Sequence, residues 1–437
     1  MPANRSQALW HADPVHMDAA TPFDGTSFFF SLPSADARAT PDKQCCYDCC
    51  LDWACCMGNR LSLAPARWSA GTPEHSALAQ QAQGFQEISA TWRRLRTNSI
   101  WIPLVSQTTF AEAAPNTSWW FDDARWGTLL YNWGVAAAAA QNSSATQLFI
   151  DAEEYCQYCP PGGGTCHEAS SLTEISNCTL FYYPDLLLFS NRSFAEYEAI
   201  ARQRGTELLL AVAAVWPALQ EVSLTHGFGT VQRSFHWLPP GGDRVQNLSK
   251  VEYGLLPAFL DGIMLGMQQA AAAAAAAAAG RVSSAPPRRM HLTENYEDYF
   301  LKTRADFQST FDMAKRGGAS LSQQPALLQR YSRVGFGLSL DQKQLEDGSV
   351  VSTFDTRNFS NNNFSPATLT TALEAAFEIS DAPTQVWLWG TILLPFVSSA
   401  ENPVIKSDAK GLPPQYAAAI REAKTASMRS VPAPAVD

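Results

Sequence analysis

The segment with the clearest chemical potential is an apolar run that ends in carboxylates. Residues 148–155 read Leu-Phe-Ile-Asp-Ala-Glu-Glu-Tyr. Alternate residues of a β-strand lie on the same face, so Asp151 and Glu153 would share one face. Two carboxylates at close range raise the pKa of one of them, which suits a general acid. The segment predicts that Glu153 is a catalytic acid/base tuned by Asp151. The alternative is a solvated strand end.

Further carboxylates follow two later apolar runs. Glu294 directly follows residues 290–293, and Glu297 lies three residues further on. Asp341 directly follows residues 334–340. Any of the three could be the second carboxylate that hydrolysis of a glycosidic bond requires. Residues 294–298 could equally be the acidic start of a helix, which the helix dipole favours.

Other polar and aromatic residues are candidates for binding a substrate. Aromatic faces stack on the apolar faces of sugar rings, and carboxylates accept hydrogen bonds from hydroxyl groups. A place in the core is an equally good reading for each tryptophan, and a structural role is the alternative for the histidine. The candidate substrate-binding residues are Trp120, Asp122, Asp123, Tyr155, His226, Tyr296, Trp387 and Trp389.

Short apolar runs alternate with longer helical windows along the chain, which predicts an α/β fold with a parallel sheet. The predicted strands are Ser27–Leu32, Ser99–Val105, Gln147–Ala152, Glu221–Thr225, Met290–Thr293, Val334–Leu340 and Gln385–Gly390. Helical windows include residues 126–140, 194–215, 253–279 and 365–379. Seven such units favour a (β/α)8-type TIM barrel whose first strand is missing from this chain.

The expected barrel extends over residues 22–400. It includes a Cys-rich loop insertion at residues 36–72 and a low-complexity alanine tract at residues 270–289, and a C-terminal tail follows at residues 401–437. The carboxylate-bearing segments follow strands, so they would lie at the carboxyl face, where barrels carry their active sites.

Composition narrows the class of protein. The net charge is −10, so no electrostatic footprint for nucleic acid is expected, and the longest alanine run is too short for a membrane span. Ten clustered cysteines and eight Asn-x-Ser/Thr triplets predict a secreted, disulfide-bonded glycoprotein whose signal peptide is missing from this chain. Disulfides are favoured over a zinc site at Cys156-x-x-Cys159, so we expect no metal and no cofactor.

Several short motifs occur in a fixed order between residue 22 and about residue 390. They are Pro22–Gly25, Trp120–Asp123, Phe149–Tyr155, Ala201–Gly205, Leu256–Gly262, Val334–Leu338 and Val386–Trp387. Through them the chain resembles a family of glycoside-hydrolase-like proteins of the TIM-barrel glycoside hydrolase superfamily. The Cys-rich insertion and the alanine tract depart from that pattern.

The resemblance implies a barrel that acts on a polysaccharide or glycan by carboxylate acid/base catalysis. The alternatives are a non-catalytic carbohydrate-binding barrel and a disulfide-rich protein of the extracellular matrix or cell wall. Fold alone does not decide between them.

Overall fold

The chain has an α/β fold built on a parallel sheet. The computed structural model describes residues 27–29, 67–86, 99–103, 119–152, 157–158, 167–168, 181–279, 290–296, 299–389 and 412–430, with short gaps inside several of these ranges. The strands of this sheet are β1 (Ser27–Phe29), β2 (Ser99–Pro103), β3 (Gln147–Asp151), β4 (Glu221–Leu224), β5 (His291–Tyr296), β6 (Ser332–Ser339) and β7 (Val386–Trp389). These are the seven strands that the apolar runs predict.

The order of the strands in the sheet is their order in the chain. Every neighbouring pair from β1–β2 to β6–β7 is parallel. Such a sheet is wound in one direction, as in a (β/α) barrel, and not in two directions as in a dinucleotide-binding fold. Among the described residues this sheet has no eighth strand and no pairing between β1 and β7. Four shorter strands, Gln157–Tyr158 with His167–Glu168 and Gln342–Gln344 with Val350–Ser352, form two separate antiparallel pairs.

Helices connect the strands, and several begin where the sequence predicts. Ser193 caps the helix at residues 194–215 in a capping box with Glu196, and Ser365 caps the helix at residues 366–379 with Pro366 at its first position. The helices are α1 (Asp123–Asn142), α2 (Tyr183–Leu186), α3 (Phe194–Val215), α4 (Phe228–Ser234), α5 (Arg244–Leu248), α6 (Leu256–Ala279), α7 (Arg304–Leu321), α8 (Pro325–Tyr331), α9 (Pro366–Ile379) and α10 (Pro414–Ser430).

One face of the sheet packs on the helices. On β3 the residues Leu148 and Ile150 belong to a hydrophobic core that also contains residues of α1, α3 and α6. On β6 the residues Val334, Phe336 and Leu338 belong to a second core with α9 and α10. We call this the helix face. The alternate residues of each strand form the opposite face, which we call the inner face.

The sheet is strongly curled around its inner face. Phe149 on β3 and Trp387 on β7 contact each other edge to face, with ring centroids 5.7 Å apart. In a flat sheet these strands, separated by β4, β5 and β6, would be about 19 Å apart at the usual strand spacing. The contact therefore crosses the inside of the curl, and the architecture is that of a partial barrel.

Helices α3 and α6 cross at backbone contact. A Cβ atom added at Gly205 of α3 would lie 2.1 Å from the carbonyl oxygen of Phe259, and one at Gly262 of α6 would lie 2.0 Å from that of Arg202. The hydroxyl of Thr206 donates a hydrogen bond of 2.9 Å to the Gly262 carbonyl. Only glycine permits this approach.

The alanine tract and the C-terminal segment both contain helix. Ala270–Ala279 forms the end of α6, within the helical window that the sequence predicts. The C-terminal segment at residues 401–437 contains α10, which places Tyr416, Ile420 and Ala423 in the second core. These three residues recur at helical spacing, a signal that the sequence does carry.

Candidate functional site

The carboxyl ends of the central strands bring a row of residues together. Ile150 pairs with Leu224, and Leu224 pairs with Glu294, across β3, β4 and β5. The next residues along these three strands are Asp151, Thr225 and Asn295, respectively. Because the sheet is parallel, these three lie in one row at its carboxyl edge. Leu224 belongs to the helix face, so Thr225 and Asn295 in this row belong to the inner face.

Asn295 is the most informative member of this row. Its side chain is completely buried, and neither its Nδ2 nor its Oδ1 has a hydrogen-bond partner among the residues that the structure describes. A buried amide that lacks both bonds costs free energy, so such groups in native proteins call for an explanation. A group aimed at a ligand is one such explanation.

Aromatic rings lie close to this edge of the inner face. Trp387 contacts Phe149 on one side and the Tyr299 ring, at 6.1 Å between centroids, on another. Tyr299 is anchored by its carbonyl oxygen, which accepts a 3.2 Å hydrogen bond from the N–H of buried Ser339. The indole of Trp387 thus forms part of an aromatic cluster inside the curl.

His226 follows Thr225 at the carboxyl end of β4. Its Nδ1 lies 3.2 Å from the Thr225 hydroxyl, and its ring stacks on Tyr253 at 4.9 Å. Burial, followed by the charge of Arg233, lowers the pKa of His226 to about 4. At neutral pH the imidazole is therefore uncharged and can both donate and accept a hydrogen bond.

Tyr253 holds its ring against His226 in a strained backbone conformation, with φ at 58°. Positive φ is unusual for a tyrosine and is often found near functional sites. Burial raises the pKa of the preceding residue, Glu252. The sequence contains no signal for either feature.

The side chain of Glu294 lies on the helix face, opposite to that of Asn295. Its Oε2 accepts a 3.3 Å hydrogen bond from the Gly229 N–H, in the first turn of α4. Gly227 caps α4 without a side-chain hydrogen bond, so the Glu294 carboxylate replaces the missing cap. Burial raises its pKa to about 7, against the opposing effect of these backbone hydrogen bonds. This position explains Glu294 as a support for α4.

Trp120, Asp122 and Asp123 lie in the helix layer. Trp120 is completely buried and stacks on Trp126, with centroids 5.4 Å apart. Asp122 caps α1 by accepting a 3.0 Å hydrogen bond from the Arg125 N–H, and Asp123 forms an ion pair with Arg204. The structure thus shows structural contacts for all three residues, and their part in substrate binding stays a prediction.

The remaining sequence candidates are described in part or not at all. For Asp151, Tyr296 and Trp389 the structure gives only the backbone position within β3, β5 and β7. Glu153, Tyr155, Glu297 and Asp341 lie outside the described residues, as do all ten cysteines. Their roles stay predictions.

A second polar cluster, which no sequence pattern indicates, lies at the amino end of the inner face. The Thr293 hydroxyl donates to the Glu221 carboxylate, and the Arg333 guanidinium donates to His291 Nε2 at 2.7 Å. Burial raises the pKa of Glu221 to about 7, although the Thr293 hydrogen bond and the Arg333 charge act in the opposite direction. The cluster lies at the edge opposite to Asn295.

The described residues offer neither a metal-binding cluster nor a membrane-spanning helix. They contain no group of three or more histidine, cysteine, aspartate or glutamate side chains that could hold a metal ion. Within the same ranges no helix combines the length and apolar character that crossing a membrane requires.

Comparison with solved structures shows distant structural likeness. No protein-family model matches the chain, and no curated protein matches it. The chain is similar to an endo-beta-mannanase/endo-beta-glucanase of Prevotella bryantii, with a TM-score of 0.35 and 9% identity over 93% of this chain. It spans 49% of that structure's chain. A likeness of this size carries no argument about function.

Proposed function

We propose that this protein is a glycoside hydrolase that binds a polysaccharide or glycan at the carboxyl end of a (β/α)8-type barrel. The observation that carries the proposal is the amide of Asn295, which is buried on the inner face at that end and has no hydrogen-bond partner within the described ranges. An amide with a free donor and a free acceptor matches sugar hydroxyl groups, which both donate and accept. The aromatic cluster around Trp387 would supply the surface on which a sugar ring stacks.

The catalytic pair of the proposal is Asp151 and Glu153. Asp151 ends β3 in register with Pro103, two residues beyond Phe149, whose ring lies on the inner face. Strand alternation then predicts that the Asp151 side chain, and that of Glu153 if the strand continues, face the same side as Asn295. In this arrangement Glu153 is the acid/base and Asp151 tunes it.

Glu153 would protonate the glycosidic oxygen as the bond to the anomeric carbon breaks. A second carboxylate would attack that carbon or activate a water molecule, depending on whether the two groups are about 5 Å or about 6.5–9.5 Å apart. Since Glu294 supports α4, we assign the second role to Asp341 or Glu297. Asp341 directly follows Leu340 at the carboxyl end of β6.

The test is hydrolysis of a broad panel of polysaccharides and glycans, measured as newly formed reducing ends. Wild type is compared with Glu153→Gln, Asp151→Asn and the matched control Glu154→Gln, whose side chain the alternation assigns to the other face. We expect the first two variants to lose at least about 100-fold in kcat, the usual contribution of a general acid, and the control to keep its activity.

Each outcome has a definite meaning. Equal activity of Glu153→Gln and wild type would overturn the assignment of the acid. Binding of a panel glycan by folded wild type without any product would replace the hydrolase with a carbohydrate-binding barrel. If the folded protein neither binds nor hydrolyses any glycan of the panel, carbohydrate is ruled out as the ligand class.

A further inference from the structure

Two Asn-Phe-Ser triplets lie close together in the connection between β6 and α9. They begin at Asn358 and at Asn363, and both fit the acceptor pattern for N-linked glycans. Because the triplets are identical in sequence, any difference between them arises from the fold. The sequence alone therefore cannot tell which of the two asparagines is accessible as an acceptor.

Asn358 is presented to solvent in a conformation that leaves its amide nitrogen available. The residue is exposed. Its Oδ1 accepts hydrogen bonds from the Ser360 N–H at 3.3 Å and from the Ser360 hydroxyl at 2.7 Å. Its Nδ2 makes no hydrogen bond within the described part of the chain. The turn itself is held by Asp355, which accepts from the N–H groups of Arg357 and Asn358.

Asn363 lies in the interior although its triplet is the same. Its side chain is 6% exposed, and its Nδ2 is buried. The next residue, Phe364, is fully buried in the second core, and Ser365 is committed to capping α9. A bulky, hydrated glycan cannot be attached here without unpacking this segment.

Asn247 gives a second contrast. It begins an Asn-Leu-Ser triplet within α5, but its Nδ2 donates a 3.0 Å hydrogen bond to the Gly242 carbonyl. A Cβ atom added at Gly242 would meet Asn247 Oδ1 at 2.1 Å, so the amide is closely packed. An acceptor triplet is thus not equivalent to an available acceptor in this fold.

We propose that Asn358 is an N-glycan attachment site and that Asn363 is not. In the transfer, the Asn358 Nδ2 forms a bond to C1 of the first sugar of a lipid-diphosphate-linked oligosaccharide. The bond between C1 and the diphosphate oxygen breaks, the lipid diphosphate leaves, and one amide proton passes to a base. The proposal rests on secretion of the protein and not on its catalytic function.

The experiment uses the full chain secreted from insect cells behind a cleavable leader. Glycopeptides of the secreted protein are mapped by mass spectrometry before and after enzymatic release of N-glycans. We expect a glycan at Asn358 in most molecules and none at Asn363. Asn358→Gln and Ser360→Ala should each remove one glycan, and Asn363→Gln should leave the glycan mass unchanged.

A second measurement covers the case in which the secreted yield is too low. The folded chain, purified from bacteria, is incubated with a soluble N-glycosyltransferase and a sugar nucleotide, which tests acceptor access in the folded state. Modification of Asn358 at least ten times faster than that of Asn363 supports the proposal. An unmodified Asn358, or a modified Asn363 in folded protein, overturns it.

Discussion

The indole ring of Trp387 occupies the space where Gly337 has no side chain. The two residues are paired in register on β7 and β6, and a Cβ atom at Gly337 would come within 2.5 Å of the ring. The same ring reaches across the sheet to Phe149. A glycine on one strand therefore makes room for the contact that spans the inside of the curl.

Substitution at Gly337 should disturb this contact. We expect Gly337→Ala to lower the free energy of unfolding by about 1–3 kcal/mol, because the ring must move out of a packed position. Urea denaturation measures the change. The matched control is Gly127→Ala in α1, where a Cβ atom meets nothing within 4 Å and little loss is expected. Adding Trp387→Leu to Gly337→Ala should recover part of the loss; an unchanged stability of Gly337→Ala alone would contradict the packing.

Substitution of Asn295 should weaken glycan binding without lowering the stability of the protein. Asn295→Leu removes a buried amide without partners and keeps a similar volume, so the unfolding free energy should stay the same or rise by about 1 kcal/mol. Affinity for the glycan found by the panel should fall at least about tenfold, since each lost hydrogen bond is worth roughly 1 kcal/mol or more. Calorimetry and urea denaturation of the same samples measure both. A destabilised variant with unchanged affinity would make Asn295 a structural residue.

Glu294 should behave as a helix cap and not as a catalyst. Glu294→Gln keeps an oxygen that can accept from the Gly229 N–H, so we expect a small change in stability and nearly full activity. Glu294→Ala leaves that N–H unpartnered and should cost about 1–3 kcal/mol. Thermal unfolding and hydrolysis rates measure the two effects. Loss of kcat in folded Glu294→Gln, with unchanged stability, would restore Glu294 as a catalytic candidate.

Glu221 should make stability depend on pH. Its pKa in the folded protein is raised from 4.5 to about 7, so the folded state binds more protons than the unfolded state between these values. Stability must therefore fall as pH rises from about 4.5 to about 7. The shift corresponds to at most roughly 3 kcal/mol.

The comparison of wild type with Glu221→Gln isolates this effect. The lowered pKa of His226 acts in the opposite direction at acid pH, but it is common to both proteins. Unfolding free energies are measured at pH 5 and pH 8. From pH 5 to pH 8 the unfolding free energy of Glu221→Gln should fall less than that of wild type, by up to roughly 3 kcal/mol. An equal fall in the two proteins would show that Glu221 titrates normally.

Truncation of Trp120 should lower the free energy of unfolding by the amount typical of a core residue. Its ring is fully buried against Trp126 and Phe181. Truncation to alanine should cost about 3–5 kcal/mol, as for other buried aromatic residues. Leu187→Ala, at an exposed apolar position, is the control and should change stability little. A loss below about 1 kcal/mol, with weaker glycan binding, would return Trp120 to the list of substrate-binding residues.

The strands were predictable because each is an apolar run bounded by polar residues. Their parallel order follows from the helices that separate them. Helix α3 was predictable to its first and last residues, since Ser193 and Glu196 form a capping box and Pro217 follows its end. These signals are local, so they survive without knowledge of the tertiary structure.

The face on which a residue lies was harder to predict. Glu294 and Asn295 are neighbours in the chain, yet one supports α4 and the other faces the inside of the curl. A shift of one residue in β5 exchanges these roles, and a short polar strand end carries no hydrophobic alternation to fix it. Trp120 shows the same limit, because an aromatic residue beside acids suits a binding site and a capped helix equally well.

The crossing of α3 and α6 determines how related sequences can vary. At Gly205 and Gly262 the space for a side chain is filled by main-chain atoms of the facing helix. A change in a neighbouring side chain cannot compensate for a larger residue there, because every residue type has the same main chain. Relatives that keep this crossing should therefore keep both glycines while their surroundings diverge, and the two positions offer fixed points for aligning distant sequences.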